Sequence, residues 1–225
     1  MTDPNDVPIR DAATIILLRG GRDDPHLLMG QRGAKAVFMP NKYVFPGGAL
    51  DDQDRDIPVH RDLVPHVRAI LNQQSEPDKS ARLALAAIRE LFEETGLALG
   101  QPGQTEQDVP PDWAGFVARG LLPDLGALDV IFRAVTPAGR PRRFDARFFM
   151  ARVEDITGDP DDFSEACDEL SHLHWVPLAD ARKLALPFIT EIVLSEVEAR
   201  LRTGPRPVPF FNHVGERSHF RMLTA

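Results

Sequence analysis

Residues 12–19, "AATIILLR", form an almost unbroken aliphatic run rich in β-branched side chains, and they predict a buried strand. The polar stretch "GGRDDP" (20–25) reads as a turn, and "HLLMGQR" (26–32) predicts a second strand able to pair with the first. "YVFPGG" (43–48) predicts a short strand that runs into a tight glycine turn. Apolar spacing in "DLVPHVRAILNQQ" (62–74) predicts a helix after Pro65. The strongest helix is "SARLALAAIRELFEETG" (80–96), dense in good helix formers and closed by Gly96 at the C-terminal capping position. Two further strands, "ALDVIFRAVTP" (127–137) and "RFDARFFMARV" (143–153), flank the turn "PAGRPR". "LHWVPL" (173–178) predicts another short strand, and "ADARKLA" (179–185) and "PFITEIVLSEVEARLR" (187–202) predict helices. The tail "TGPRPVPFFNH" (203–213) is Pro-rich and extended, with Phe210 and Phe211 placed to pack back on the body. Strands and helices interleave without repeats or a linker, which predicts one α/β or α+β domain over residues 1–225.

Composition narrows the function classes. The chain has 225 residues, 43% hydrophobic and 27% charged, the balance of an ordinary soluble globular protein. A net charge of −8 argues against binding a nucleic acid polymer, which calls for a basic footprint. The single cysteine, Cys167, excludes an internal disulfide framework and a multi-cysteine zinc site, and points to a reducing compartment. The segment "MTDPNDVPIRD" lacks the apolar core of a signal peptide, and no run is long enough to span a membrane. A cytoplasmic protein without a membrane partner is therefore expected.

"RELFEETG" (89–96) brings in chemistry. With Glu90 at zero, Glu94 lies at roughly +40° and Glu93 at roughly −60° around a helix, so the three carboxylates share one face. Ala84, Leu85, Ile88, Leu91 and Phe92 form the opposite, core-facing stripe, and Ala86 and Ala87 should leave open space beside the acids. A solvated acidic face is the ordinary reading of such a trio. Against it, the charges repel at i, i+3 and i+4 and stand at the negative end of the helix dipole. A divalent cation would reverse the sign of both effects, and all-oxygen ligands suit Mg²⁺ or Mn²⁺ better than zinc. Arg89 fits a surface ion pair or a guanidinium that orients a ligand carboxylate.

Together, "FPGG" and "AAIRELFEETGL" resemble the signature box of the Nudix hydrolase family. Gly48 matches the first glycine of the box, and Arg89, Glu90, Leu91, Glu93, Glu94, Gly96 and Leu97 match its second half position by position. The family spacing puts the arginine at 62, but here it stands at 89, an insertion of 27 residues placed at about 51–80. Counting back from Arg89 to the box's first glutamate reaches Ala81, whereas counting forward from Gly48 reaches Asp54. Asp51, Asp54, Glu76 and Asp78 are the acids available for that position. The long insertion, with "VFMPNKYVFPGGALDDQD" before it, resembles the acyl-CoA and CoA diphosphatase branch of the family. "RFDARFFMARV" and "DELSHLHWVPLADA" extend the resemblance over roughly residues 12–185.

The resemblance implies an α/β/α sandwich with a mixed sheet, the insertion between the two halves of the box, and an extra C-terminal helix and tail at about 187–225. It also implies a metal-dependent hydrolase of a pyrophosphate in a nucleoside-diphosphate-linked small molecule, CoA or acyl-CoA. ADP-ribose, a dinucleotide or another nucleotide sugar is the alternative substrate, and a catalytically weak binding module the alternative class. Glu90, Glu93 and Glu94 become candidate ligands of Mg²⁺ or Mn²⁺, with Arg89, Glu90 and Glu94 as catalytic residues. Glu90 is the first choice of general base, and Glu165 or Glu169 in "DFSEACDEL" the alternative. Gly47 and Gly48 are placed to bring backbone to the metal and substrate, and Arg32, Lys42 and Arg147 are candidate phosphate contacts. His172 and His174 should merely flank a core anchor, Trp175, and Cys167 should be inert. The insertion is expected to govern substrate choice, and the apolar helix 187–202 is a candidate homodimer interface.

Overall fold

The structure is a computed structural model that describes residues 7–34, 36, 39–76, 78–214 and 217–225. The first six residues of the N-terminal segment, Val37 and Phe38 of the stretch before the glycine turn, and Pro77 of the insertion lie outside the described residues.

In chain order the elements are β1 (Ile9–Arg19), β2 (His26–Arg32), β3 (Tyr43–Val44), β4 (Gly47–Ala49), α1 (Pro65–Leu71), α2 (Lys79–Thr95), β5 (Gly100–Pro102), α3 (Pro111–Ala118), β6 (Leu121–Pro123), β7 (Asp129–Val135), β8 (Arg143–Arg152), β9 (Leu170–Pro177), α4 (Leu178–Ala181), α5 (Phe188–Thr203), β10 (Val208–Val214) and β11 (Arg217–Leu223). The main sheet runs β11-β10-β7-β8-β1-β2-β3, with β4 pairing β1 and β9 pairing β2. It is mixed: β1–β8 and β7–β10 are parallel, while β1–β2, β7–β8 and β10–β11 are antiparallel. The expected mixed sheet between helical layers is what the chain forms.

β1 explains its own aliphatic run. Ile15 and Leu17 join the core shared with α1 and α2, while Ile16 and Leu18 join the core under α5. A strand buried on both faces has no use for polar alternation. α5 spends its apolar face in the same way, since Val193, Leu194 and Val197 are buried against the sheet and Phe188 alone of its large apolar side chains is highly exposed. Much of the apolar pattern that suggested a dimer interface thus packs within the chain, and Phe188 remains outside it.

Several features depart from the expected pattern. α3 and the β5–β6 pair arise in a stretch broken by prolines and glycines, and β11 in a mixed polar sequence. Trp175 is only half-buried, with Arg19 stacked 4.0 Å from its ring centroid, and His172 and His174 are exposed. Ala86 and Ala87 are completely buried, so no open space flanks the acids. α2 lies between the sheet and α1/α3, and small side chains let those neighbours approach closely.

The insertion is built into the core. Ile57, Leu63, Val67, Ile70 and Leu71 all join the cluster around α2. Burying each such side chain contributes about 1.5–3 kcal/mol. Arg61 pairs through Nε and Nη2 with the fully buried Asp124, and Arg133 donates to the carbonyls of Gln73 and Gln74 at 2.8 and 3.2 Å. Deleting the segment would open the core before it could report on substrate choice. Among the described residues no helix is long and apolar enough to cross a membrane.

Candidate active site

The site forms where the glycine turn meets the last two turns of α2. Pro46 accepts a hydrogen bond from Ile15 N–H at 2.9 Å, which ties the turn to β1. A Cβ on Gly47 would stand 2.5 Å from the Ala13 carbonyl oxygen, and one on Gly48 would stand 2.3 Å from Glu90 Oε1. Only glycine lets the backbone at 47 lie so close to β1, and a side chain at 48 would push the Glu90 carboxylate aside. Gly47 N–H then donates to Glu94 Oε2 at 2.8 Å. The helix stops directly afterwards at Gly96, left-handed at φ 77°, whose carbonyl accepts from Arg119 Nη1 at 2.9 Å. That guanidinium supplies positive charge at the negative helix end, where a basic residue on α2 itself is lacking.

Arg89 is the hub. Its Nε and Nη2 hold the two oxygens of Asp54 at 2.8 and 3.1 Å, and Nη2 also donates to the Ala49 carbonyl at 3.2 Å. Nη1 donates to Glu90 Oε1 at 2.9 Å and to Glu93 Oε2 at 3.1 Å. Asp54 is fully buried and also accepts from Asp51 N–H. The acid at the forward-counted position therefore stands in this site. Glu76 instead pairs with Lys79 at the start of α2, and Asp78 precedes that same end as the N-cap residue. Sequence alone left this open, because a buried Asp in "DDQDRD" has the same local signature as its exposed neighbours.

The charge balance is strongly negative. Burial pushes the Glu90 carboxyl up to about 7; Arg89 opposes the shift and the Glu93 charge adds to it. Glu94 is raised well above its usual value by burial and then by Glu90, against which the Gly47 hydrogen bond works only in part. Burial also raises Glu93, again against Arg89. These carboxylates lack positive charge, and three oxygen-donor groups fit a hard divalent cation. Among the described residues no three acids, histidines or cysteines already converge as a ligand set; Arg89 Nη1 instead bridges Glu90 and Glu93. Each of these two carboxylates keeps its second oxygen outside the Arg89 bond, and an ion would have to draw those oxygens together with Glu94.

The other expected residues fall on both sides of this boundary. Arg32 Nη2 donates to Glu169 Oε1 at 2.7 Å, and the charges of both reach Glu94. Lys42 sits in the same hairpin, its carbonyl accepting from Arg32 N–H. Glu165 pairs with Arg119 rather than facing the three glutamates. Arg147 lies elsewhere: it is buried and ion-paired with Asp11 at 2.5 Å and Asp145 at 3.3 Å, beside the start of α2. A phosphate contact was expected of it, but its partners belong to the scaffold. Cys167 is exposed, and partial desolvation of its thiol together with nearby glutamates raises its pKa, which disfavours the reactive thiolate.

Comparison with known proteins follows the same lines. No protein-family model matches the chain. It is 29% identical over 196 residues to a Caenorhabditis elegans protein whose name includes nudix hydrolase 7, covering 79% of this chain and 57% of that one. It is 27% identical over 209 residues to the acyl-coenzyme A diphosphatase NUDT19 of Gallus gallus, covering 64% and 55%. The chain thus spans little more than half the length of these curated relatives. Among solved structures, the Nudix hydrolase of Alicyclobacillus acidocaldarius matches with a TM-score of 0.63 at 29% identity, covering 88% of this chain and 97% of that one. The Nudix domain of Shewanella oneidensis NrtR, solved with ADP ribose, shares the fold alone, with a TM-score of 0.50 at 15% identity over 88% and 93% of the two chains.

Proposed function

We propose that this chain, a Nudix hydrolase by its likeness to the relatives above, hydrolyses the pyrophosphate of a nucleoside-diphosphate-linked small molecule, with CoA or an acyl-CoA as the substrate. The observation that carries the reading is the meeting of Gly47–Gly48 with the carboxylates of Glu90 and Glu94, all arranged about the Arg89–Asp54 pair. The likeness to an acyl-coenzyme A diphosphatase and the long insertion support the substrate class.

Glu90, Glu93 and Glu94 would hold the Mg²⁺ or Mn²⁺ ion. When bound, such an ion neutralises phosphate charge and makes water a better nucleophile. Arg89, fixed by the two oxygens of Asp54, sets the orientation of Glu90 and Glu93. Glu90 is the first choice of general base, its carboxyl standing near 7 in the metal-free chain. Arg32, whose charge acts on Glu94, and Lys42 beside it in the β2–β3 hairpin are the basic residues for the substrate's phosphates.

The test is product release from CoA, an acyl-CoA, ADP-ribose and a dinucleotide, with and without Mg²⁺ or Mn²⁺. Turnover that requires the metal and is fastest on the CoA compounds is expected. Absence of turnover on all four, together with no metal binding, sinks the hydrolase reading.

A further inference from the structure

Arg32 is held in a way that leaves its guanidinium half used. β2 and β9 pair with Arg32 opposite Leu170, which sets Glu169 beside it. The hairpin fixes the arginine's backbone on both sides, since Arg32 N–H donates to the Lys42 carbonyl and Asn41 N–H donates to that of Arg32. Of the side chain, Nη2 donates to Glu169 Oε1 at 2.7 Å, while Nε is buried and has no partner among the described residues. The Glu169 side chain is 51% exposed and the Arg32 side chain 21% exposed, so the carboxylate can leave into water more readily than the guanidinium. Both charges are felt at Glu94, and that of Glu169 at Glu90 as well.

We propose that Glu169 is an internal stand-in for a substrate phosphate: it neutralises Arg32 in the free protein, and a pyrophosphate oxygen pair takes its place on binding. A guanidinium fork binds a phosphate through two parallel N–H bonds. Glu169 satisfies only Nη2, whereas a phosphate that displaces it meets Nη2 and Nε together. The exchange keeps Arg32 from standing uncompensated beside the acidic cluster, and gives the free protein a reason to pair a half-exposed glutamate there. It also makes Glu169 a determinant of phosphate affinity through Arg32, separate from any action on the attacking water. The inference rests on the hydrolase reading, since it takes a diphosphate as the incoming anion.

The experiment is a four-protein cycle of the full chain: wild type, Glu169→Gln, Arg32→Ala and the double variant. Each is titrated calorimetrically with inorganic pyrophosphate in metal-free buffer. Glu169→Gln should bind about three- to tenfold more tightly than wild type, the range expected when a half-exposed ion pair no longer competes. In the Arg32→Ala background the same substitution should change affinity by less than about twofold. An equal or larger gain without Arg32 would mean that Glu169 simply repels anions, and overturns the exchange. Unchanged or weaker binding in Glu169→Gln overturns it too. If the wild type turns over substrate while the cycle shows no coupling, only the exchange falls; if none of the four binds pyrophosphate and none hydrolyses a substrate, the hydrolase reading falls with it.

Discussion

At the first turn of α2, Lys79 Nζ lies 3.0 Å from one oxygen of Asp11 while Arg147 lies 2.5 Å from the other, and Arg133 and Arg147 share Asp145 at 2.6 and 3.3 Å. Five buried or half-buried charges there balance to within one. At the last two turns of the same helix, Arg89 is the one cation that pairs directly with Asp54, Glu90 and Glu93 among the described residues, and Glu94 has no ion-pair partner there. Burial alone would raise the Asp11 carboxyl, yet Lys79 and Arg147 hold it below the usual range. At the other end burial wins, and all three glutamates are pushed up. A buried network that closes its own charge balance is scaffold, and one that leaves negative charge over is waiting for a partner. This contrast separates Arg147 from Arg89, two arginines that look alike in sequence.

Substitutions at the two ends should therefore fail differently. Glu94→Gln should lower kcat roughly a thousandfold, the several kcal/mol that a correctly held ion contributes. The amide can still accept from Gly47 N–H, so stability in denaturant should be unchanged or slightly higher. Near-normal turnover in this variant would contradict the ligand assignment. At the N-terminal end, Arg147→Met leaves Asp11 to Lys79 and Asp145 to Arg133, and should destabilise the fold by about 1.5–3 kcal/mol, the cost of lost hydrogen bonds between charged groups. Turnover per folded molecule should stay at the wild-type level; a selective loss of kcat would return Arg147 to the site and break the contrast.

Asp54 tests the hub between these extremes. Asp54→Asn keeps the volume but removes the charge that fixes Arg89, and a loss of about 10- to 100-fold in kcat is expected, as for groups that orient metal ligands. Asp54→Glu restores the carboxylate and should recover part of that loss, whereas Asp51→Asn should do little, since only the backbone N–H of Asp51 reaches Asp54. Equal effects of Asn at both positions would show that the assignment of Asp54 is wrong.

Much of this was legible in the sequence. Elements with a strong period or a continuous apolar run, such as β1, α2 and β8, followed directly from pattern, and Gly96 marked the end of α2 correctly. The three glutamates could be placed on one face because helical geometry is local. What sequence could not convey was pairing at a distance. Asp54 and Arg89 are separated by 35 positions and Arg32 and Glu169 by 137, so neither partner carries a local sign of the other. β11 escaped notice for a related reason: six of its seven residues are exposed, and a strand defined by hydrogen bonds to β10 needs no apolar alternation. The alanines beside the acids misled in the opposite direction, since small side chains mark close packing as readily as open space.

The smallest effect, and the one that reads the charge imbalance most directly, is the pH dependence of stability without metal. The Glu90 carboxyl titrates near 7 in the folded chain against an ordinary value of 4.5. A raised folded pKa means that the folded state binds the proton more tightly, so the associated stability is complete below about 4.5 and is lost as pH rises through 7. Glu93 and Glu94 act in the same direction. Between pH 5 and 8 the metal-free protein should lose on the order of 2 kcal/mol through Glu90, measured by denaturant unfolding in chelator. Glu90→Gln removes the titrating group and should flatten that part of the profile, leaving the variant more stable than wild type at pH 8. Lys79 and Arg147 already hold Asp11 in its charged form, so the first turn should not contribute a loss of this sign: protonating Asp11 costs stability only at the acid end. A wild-type profile flat from pH 5 to 8, or a Glu90→Gln profile that still falls, would mean that Arg89 compensates the cluster fully and that both ends of α2 are scaffold.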